Sequence, residues 1–470
     1  MARVRRMSRA AAVSLALALT VAAAGTASAV PAGRGAPRPP DGVWRMDGYG
    51  TLVTIGNGKL ATYDTTRVSC LPGAVTADQV GAPGPAGATR YGEGSVATMT
   101  VTPDGRGRAV LAPDDAAGVR HLERLSALPE RCRRPAEESP LAVFDRFWAT
   151  FAENYPFFAA KGIDWQAVRD RYRPLVTPGT TDAELQRILT DMIRPLHDAH
   201  TALIHQGKTV YFGLRPGTRV ATPELRTRAA EAVSHQLVAP VRSFAQGKLV
   251  VGELPDQIRY LRIDSFDGYV AGDSYQQQAA ELDRALDALI PSGATADRLR
   301  GLVIDCRLNG GGSDALGLRI AARLTDRAYT AYTKVARNDP DDPARYTRPQ
   351  PITVHPAPAP RWTGPVALLT SGSSVSAAET FTQALMGRTP QVTRIGENTQ
   401  GVFSDVLFRP LAKDWAAVLP NEKYLDRAGH SFDGPGIPPQ SRIPVFTEDD
   451  LTHRRDPALT LARRVMAGSG

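Results

Sequence analysis

The sequence predicts an α/β protein in which a small all-β module and a helical subdomain precede a larger α/β core. Short apolar runs split by turn residues fill 42–134, and apolar residues recur at helical spacing over 135–206. Over 207–470, strand-like and helix-like segments alternate from about residue 248 onward. Such alternation is typical of layered α/β architectures. These three ranges are the predicted domains.

The first 29 residues have the three parts of a secretory signal peptide. Four arginines lie among the first nine residues, a short apolar run covers 10–24, and Ala27-Ser28-Ala29 is a small-x-small cleavage site. The apolar run is too short to span a bilayer, and polar sequence follows it directly. We therefore expect cleavage after Ala29 and a secreted protein without a membrane span. The Pro/Gly-rich segment 30–41 is expected to be a flexible lead-in.

Charge and cysteine content argue against several classes of function. The formal charge of +8 falls to +4 without the four signal-peptide arginines, and no basic run remains, so no nucleic-acid partner is expected. Cys70 and Cys132 flank the β module and are expected to form a disulfide, while Cys306 lies in a strand-like run and stays free. No cysteine or histidine cluster has zinc spacing, so we expect neither a metal nor a cofactor.

The β module and the helical subdomain have clear local signals. In the module, strand-like runs such as 51–55 are followed by Gly/Asn turns. In the subdomain, Ser139 precedes a proline at the first position of a helix, Asp164 starts a second helix, and Thr181 with Glu184 forms the capping box of a third. The subdomain ends near residue 206.

The core is predicted as alternating strands and helices. Its strands are expected at 249–251, 259–263, 301–306, 366–370 and 392–395, and its helices at 274–290, 314–324 and 376–386. Residues 328–361 are Pro-rich and polar, and we predict a long loop over the site there.

Two turns at strand-to-helix transitions are candidates for chemistry, because α/β proteins place ligands at such points. The first contains Gly310-Gly311-Gly312, whose backbone N–H groups can approach a developing negative charge. It also fits a loose dinucleotide fingerprint, which export away from nicotinamide pools disfavours. The second contains Ser376 before a helix. From its spacing alone, Ser376 fits two roles equally well: a nucleophile, or a residue that only caps the helix.

Five motifs, in family order, resemble the superfamily of tail-specific (C-terminal processing) proteases, tricorn and interphotoreceptor retinoid-binding proteins. The resemblance covers about residues 140–445 and implies a crotonase/ClpP-like spiral of ββα units. The motifs are Leu196-x-Asp198-x-His200-Thr201, Asp305-x-Arg307-x-Asn309-Gly310-Gly311-Gly312, Ser376-Ala377-Ala378-Glu379, Gly396-Glu397-Asn398-Thr399-x-Gly401 and Asp433-Gly434-x-Gly436-Ile437-x-Pro439.

The resemblance implies a serine nucleophile and a histidine base. Ser376 occupies the nucleophile position, and Val402 stands where tail-specific proteases carry a general-base lysine. His200 matches the tricorn-type base, whose near-neutral reference pKa suits proton transfer. Asp433 takes the place of the acidic residue that orients the imidazole, one methylene shorter than glutamate.

The oxyanion hole implied by the resemblance uses backbone N–H groups of Ala377 and Gly311. Relatives often carry proline at the position of Gly310, and proline has no N–H to donate, so Gly311 is favoured. Asp198 and Glu397 stay open as supporting or substitute members of the relay. Ala199 stands where the tricorn site has an orienting serine.

These residues predict a secreted serine peptidase that acts on peptides or unfolded protein through an acyl-enzyme. The stretch 205–257 is too short for a complete PDZ domain, so the chain resembles a tricorn-like branch without one. Two alternatives stay open: a non-catalytic ligand-binding protein on the same scaffold, and an esterase-type serine hydrolase. The sequence leaves the natural substrate and the oligomeric state open.

Overall fold

The computed structural model of the protein describes residues 40–272, 274–290, 292, 298–358 and 360–468. The predicted signal peptide and nearly all of the lead-in 30–41 lie outside these ranges. Within the described part of the chain, we find no helix that combines the length and the apolar character needed to cross a membrane.

The β module is a closed antiparallel barrel of eight strands. Alternating residues point inward, so that Trp44, Val53, Leu60 and Tyr91 fill its interior. The strands are β1 (Gly42–Met46), β2 (Thr51–Gly56), β3 (Lys59–Thr65), β4 (Cys70–Gln79), β5 (Thr89–Glu93), β6 (Val96–Pro103), β7 (Arg108–Pro113) and β8 (Arg120–Leu125). The predicted all-β module is confirmed.

The cysteines pair as the sequence predicts. A disulfide links Cys70, the first residue of β4, to Cys132 in the segment that follows the barrel. Cys306 is free and fully buried at the end of a core strand. Burial raises the pKa of its thiol well above the ordinary value, so the thiol stays protonated and unreactive.

Three helices follow the barrel: α1 (Pro140–Asn154), α2 (Trp165–Tyr172) and α3 (Asp182–Ile193). The predicted caps are present. The Ser139 hydroxyl accepts the Ala142 N–H at 3.2 Å, Asp164 caps α2, and Thr181 and Glu184 form the capping box of α3. These caps satisfy N–H groups that a helix cannot bond internally.

The apolar faces of these helices pack on a four-stranded sheet, which brings distant parts of the chain together. Its order is β10-β9-β20-β19, and Phe147 and Leu189 of the helices contact a cluster that includes Leu411 and Trp415. The strands are β9 (Ala202–His205), β10 (Lys208–Phe212), β19 (Val406–Ala412) and β20 (Trp415–Pro420). His200 therefore lies two residues before a strand that is fixed in this sheet.

The core is built on a seven-stranded sheet of order β11-β12-β13-β14-β17-β18-β22. The strands from β13 onward run parallel, and all residues of β14 and β17 are buried. The strands are β11 (Arg242–Phe244), β12 (Leu249–Leu254), β13 (Ile258–Ile263), β14 (Gly301–Asp305), β17 (Val366–Thr370), β18 (Thr393–Gly396) and β22 (Ser441–Arg442). The helices of this part are α4 (Pro223–Ser234), α5 (Tyr275–Leu289), α6 (Asp314–Ala322), α7 (Ala377–Met386), α8 (Glu448–Thr452) and α9 (Pro457–Ala467).

The predicted loop over 328–361 is wrong. Two parts of this segment form the strands of a hairpin, β15 (Tyr329–Ala336) and β16 (Gln350–Val354), and β15 also pairs with β21 (Glu422–Leu425). The Tyr/Thr-rich sequence of β15 favours a strand. Its partner β21 comes about 90 residues later in the chain, so no local pattern indicates the pairing.

Candidate active site

Ser376 lies in a strained turn between β17 and α7. Its φ of 60° and ψ of −121° are unusual for a residue with a side chain. Strain of this kind is found where a strand-to-helix turn presents a nucleophile. Ser376 keeps partial exposure, whereas the residues that follow it in α7 are buried. The geometry presents its side chain at the N-terminus of a helix, where negative charge is stabilised.

The other serines of this turn have structural partners. The Ser371 hydroxyl donates to the Arg307 carbonyl at 2.5 Å, and the Ser374 hydroxyl donates to the Cys306 carbonyl at 2.7 Å. Both bonds tie the turn to the end of β14. Ser376 is thus set apart from its neighbours by exposure and backbone conformation.

Gly311 packs directly against the side chain of Ser376. Its φ is +95°, and a Cβ atom at this position would lie 2.7 Å from the Ser376 Cβ. No side chain fits there without moving the serine. The glycine turn after β14 and the serine turn after β17 therefore form one site, as the resemblance implies.

The two N–H groups predicted to form the oxyanion hole differ in whether they already donate a hydrogen bond. The Ala377 N–H has no acceptor among the described residues. The Gly311 N–H instead donates to the Asn309 side-chain oxygen at 2.8 Å. A role for Gly311 as a donor would need this bond to be shared or broken, and it stays a prediction.

His200 is buried in a segment held by Asp198. One carboxylate oxygen of Asp198 accepts the His200 backbone N–H at 2.9 Å, and the other accepts the Tyr155 hydroxyl at 2.8 Å. Burial lowers the pKa of His200, while the charges of Asp198 and Asp405 act in the opposite direction. Its Nδ1 is buried without a partner. The imidazole is therefore neutral at neutral pH and able to accept a proton.

Asp433 lies beside the segment that contacts the serine turn. Its carboxylate accepts the Ser431 hydroxyl at 2.5 Å and the Phe403 N–H at 3.3 Å. The neighbouring Val402 carbonyl accepts the Ser376 N–H at 3.1 Å. Burial is the main cause that raises the pKa of Asp433 to about 7, and the charge of Asp198 adds to it.

The three predicted relay residues are not joined by hydrogen bonds. No such bond links Ser376, His200 and Asp433 within the ranges that the structure describes. Catalytic hydrogen bonds are often long in enzymes without substrate, so this arrangement does not argue against a relay. The roles of these residues stay predictions.

Glu379 is a functional candidate to which the sequence analysis gave no role. It is fully buried on α7, and its carboxylate accepts the N–H groups of Gly401 at 2.6 Å, Val402 at 2.9 Å and Ser376 at 3.3 Å. Burial raises its pKa to about 8 against the effect of these bonds. Glu379 thus fixes the turn that contains Ser376 to the segment after β18. The Ser376-x-x-Glu379 spacing of a capping box was the available signal.

Glu397 lies on another face of the serine turn. Its carboxylate accepts the Val445 N–H at 3.1 Å, and it lines a cavity of about 460 Å³ together with Arg215, Arg219 and Arg442. No hydrogen bond of the described chain joins Glu397 to Ser376, His200 or Asp433. Its role as a substitute relay member has no support in these contacts.

Comparisons with known proteins add family context. Residues 257–443 match peptidase family S41, and residues 136–194 match the tricorn protease C1 domain. Ser376, Gly311 and Asp433 lie inside the first match. His200 lies six residues beyond the end of the second.

Solved structures show the same fold. A Parabacteroides merdae protein described as a peptidase covers 70% of this chain and 97% of its own, with 26% identity and a TM-score of 0.59. Mature CPAF covers 70% of this chain and 96% of its own, with 13% identity and a TM-score of 0.50, which concerns the fold alone. No protein with a curated description matches the chain. The predicted fold class is confirmed.

Proposed function

We propose that the chain is a serine peptidase of family S41, whose model matches residues 257–443, and that Ser376 is its nucleophile. The contact between Gly311 and Ser376 carries the proposal, because it packs the glycine turn against a strained, partly exposed serine. The free Ala377 N–H next to the serine supports it, since an amide at a helix N-terminus stabilises an oxyanion.

The proposed reaction proceeds through an acyl-enzyme. Ser376 Oγ attacks the scissile carbonyl carbon while neutral His200 takes the hydroxyl proton. The imidazolium returns this proton to the leaving amine as the peptide bond breaks. Water, deprotonated by His200, then attacks the ester and releases Ser376 and the carboxylic acid. Asp433 in its ionised form stabilises the imidazolium.

Labelling with a fluorophosphonate tests the nucleophile. The mature protein should form one covalent adduct that peptide mapping locates at Ser376. Ser376→Ala should lose the adduct and reduce kcat for peptide hydrolysis by about 10⁴-fold or more, because members of a catalytic relay act as a unit. The fold should stay intact, since the hydroxyl is not part of the core.

Ser374→Ala is the matched control in the same turn. It removes two buried hydrogen bonds, one donated to the Cys306 carbonyl and one accepted from the Ser371 N–H, and should cost about 1–3 kcal/mol of stability, but it should still be labelled at Ser376. Unchanged peptide hydrolysis by Ser376→Ala, or an adduct on Ser374, would contradict the proposal that Ser376 is the nucleophile. Labelling with hydrolysis of esters but not of peptides would favour the esterase alternative.

We also propose that the protein acts outside the cell after removal of residues 1–29. The arginine-rich start, the short apolar run and Ala27-Ser28-Ala29 support this proposal. The disulfide between Cys70 and Cys132 is in keeping with an oxidising compartment. Expression in a secreting host with N-terminal sequencing of the medium should give a chain that starts at Val30. Retention of the intact chain in the cells would contradict export.

A further inference from the structure

A cavity of about 440 Å³ lies where the barrel, α1 and the segment after β15 meet. Apolar side chains of the barrel form one part of its lining, among them Met46, Leu52 and Leu125. Polar residues at the end of α1 and at 337–340 form another part. None of the predicted relay residues lines it. Its volume suits a small organic ligand.

Arg337 is the unusual residue of this cavity. It is only 6% exposed, yet its side chain makes one hydrogen bond, from Nη1 to the Tyr155 carbonyl at 3.1 Å. Its Nε is buried without a partner, and Arg337 forms no ion pair with any described residue. A buried charge without compensation costs several kcal/mol, on the order of the net stability of a domain.

Other buried arginines show what compensation looks like. Arg307 is fully buried and pairs with the carboxylates of Asp305 and Asp456. Arg388 is 2% exposed and has no acidic partner, but its guanidinium donates to four backbone carbonyls. Arg337 has neither arrangement. Its unpaired donors are therefore available to an acceptor from outside the chain.

The charges around the cavity favour an anion as that acceptor. Four arginines and two acids line the cavity, so its positive charges exceed its negative charges by two. Both acids are already engaged. Glu153 pairs with Arg67 at 3.1 Å, and Asp339 accepts the backbone N–H groups of Asp341 and Asp342. Neither is within ion-pair distance of Arg337.

The side-chain oxygen of Asn338 is a second buried atom without a hydrogen-bond partner, and it indicates which other group the ligand carries. Asn338 also lines the cavity. A ligand that satisfies both residues carries an anionic group for Arg337 and an N–H group for Asn338. The apolar side chains of the barrel offer room for an alkyl group.

We propose that this cavity is a binding site for a small organic carboxylate that bears an N–H donor and an alkyl group. The guanidinium of Arg337 holds the carboxylate, since guanidinium and carboxylate match in geometry and charge. The Asn338 oxygen accepts the N–H group. An N-acylated amino acid has all three features, whether it is free or the end of a peptide.

Isothermal titration of the mature protein with N-acetyl-L-leucine tests the proposal. We expect saturable binding with one site per chain. The neutral amide of the same compound should bind at least about tenfold more weakly, because it lacks the charge that Arg337 holds. 4-Methylpentanoate, which lacks the N–H group, should also bind more weakly. An acetylated peptide that ends in leucine distinguishes the two sources: comparable binding indicates a peptide end, and loss of binding indicates a free compound.

Variants of the lining decide the outcome. Arg337→Gln should weaken binding by at least about tenfold, and it should not destabilise the fold strongly, since the arginine is uncompensated. Asn338→Asp changes only one atom of the side chain and should also weaken binding, because the new carboxylate either pairs with Arg337 or repels the ligand. Arg442→Gln, which changes the cavity beside Glu397, should bind as the wild type does.

The proposal is overturned if the wild type shows no saturable binding of N-acetyl-L-leucine. It is equally overturned if Arg337→Gln and Asn338→Asp both bind with unchanged affinity, or if the amide binds as tightly as the acid. None of these readouts depends on peptide hydrolysis, so failure of the serine peptidase proposal would leave the test intact.

Discussion

At the scale of single residues, the proposed nucleophile Ser376 lies directly against Gly311. Gly311→Ala would place a Cβ atom 2.7 Å from the Ser376 Cβ and a side chain at a φ of +95°. We expect a loss of about 10²-fold or more in kcat/KM, because small displacements of a reacting group are costly. Strain at such a backbone position costs on the order of 1–3 kcal/mol of stability, which urea denaturation would measure.

Gly310→Ala is the matched control for this change. A Cβ atom at Gly310 meets nothing within 4 Å. The variant should keep near wild-type activity and stability. Equal losses in both variants would mean that the triple-glycine turn needs flexibility in general and would contradict a specific contact with Ser376.

The two titrating members of the proposed relay predict the pH dependence of activity. Burial lowers the pKa of His200 and raises that of Asp433 to about 7. His200 is therefore already neutral in the range where Asp433 ionises. If the Asp433 carboxylate stabilises the imidazolium, kcat/KM should rise with pH through an apparent pKa near 7.

Two variants separate this assignment from a His200 titration. Asp433→Asn should abolish the rise in kcat/KM near pH 7. It should also lower kcat by about 10²- to 10⁴-fold, because an amide cannot stabilise imidazolium. Ser431→Ala removes a hydrogen bond that lowers the pKa of Asp433, so the rise in kcat/KM should move to higher pH. A profile that is flat from about pH 5 to 9 would contradict both roles.

At the scale of elements, Glu379 joins α7 to the segment after β18. Glu379→Gln must turn its NH₂ group toward the Gly401 N–H or toward the N–H groups of Val402 and Ser376. Above pH 8, where the Glu379 carboxyl group is ionised, we expect a loss of about 1–3 kcal/mol in the free energy of unfolding, because buried donors lose their acceptor. Activity should fall as well, since the Ser376 backbone loses a constraint.

The capping box of α3 provides the control for this element. Glu184→Gln changes the same cap type on an exposed helix end and should cost much less stability than Glu379→Gln. Urea denaturation of both variants, followed by circular dichroism, measures the difference. Equal costs would indicate that Glu379 acts only as an ordinary helix cap.

The sequence predicts best the features that depend on neighbouring residues. The caps at Ser139, Asp164 and Thr181 are local, and the structure has all three. Ser376 and the glycine turn follow from the family resemblance. Pairings between distant segments could not be predicted, as the missed hairpin of β15 shows. The bond from Phe403 to Asp433 joins residues 30 positions apart, and no local rule indicates it.

Buried charges are the least predictable part of the site. The sequence does not indicate that Glu379 is fully buried or that Arg337 lacks an ion pair, because both facts depend on how separate elements pack. The spacing from Ser376 to Glu379 could have indicated the contact between them. Nothing in the residues around Arg337 could have indicated the cavity.

At the scale of the whole molecule, the barrel is joined to the core by a cluster of charges. Arg120 of β8 lies 2.7 Å from Asp405 and 3.5 Å from Glu422, and its guanidinium stacks on the Tyr49 ring. Lys334 of β15 contacts the same two acids at 3.2 and 3.3 Å. Burial raises the pKa of Asp405, but Lys334 and Arg120 outweigh it and lower the pKa to about 2.

This cluster predicts that the barrel and the core lose stability together. Among the residues that the structure describes, Arg120→Met leaves Lys334 as the only cation in contact with the two acids. We expect a loss of about 2–4 kcal/mol, toward the lower end of buried pairs because the Asp405 side chain is 36% exposed. Arg124→Met, which removes an exposed arginine of the same strand, should cost less than about 1 kcal/mol.

The pH dependence of stability gives this prediction its sharpest form. A carboxyl group with a lowered pKa in the folded state stabilises the fold above its unfolded pKa, near 3.8, and this contribution is lost as the pH falls toward about 2. Arg120→Met raises the folded pKa of Asp405 and should shrink this contribution. The difference in the free energy of unfolding between the wild type and Arg120→Met should therefore be largest at neutral pH. It should become smaller between about pH 4 and 2, as measured by urea denaturation at each pH. Because Arg120 belongs to the barrel and Asp405 to the core, a deficit confined to one of two separate unfolding transitions would contradict the coupling.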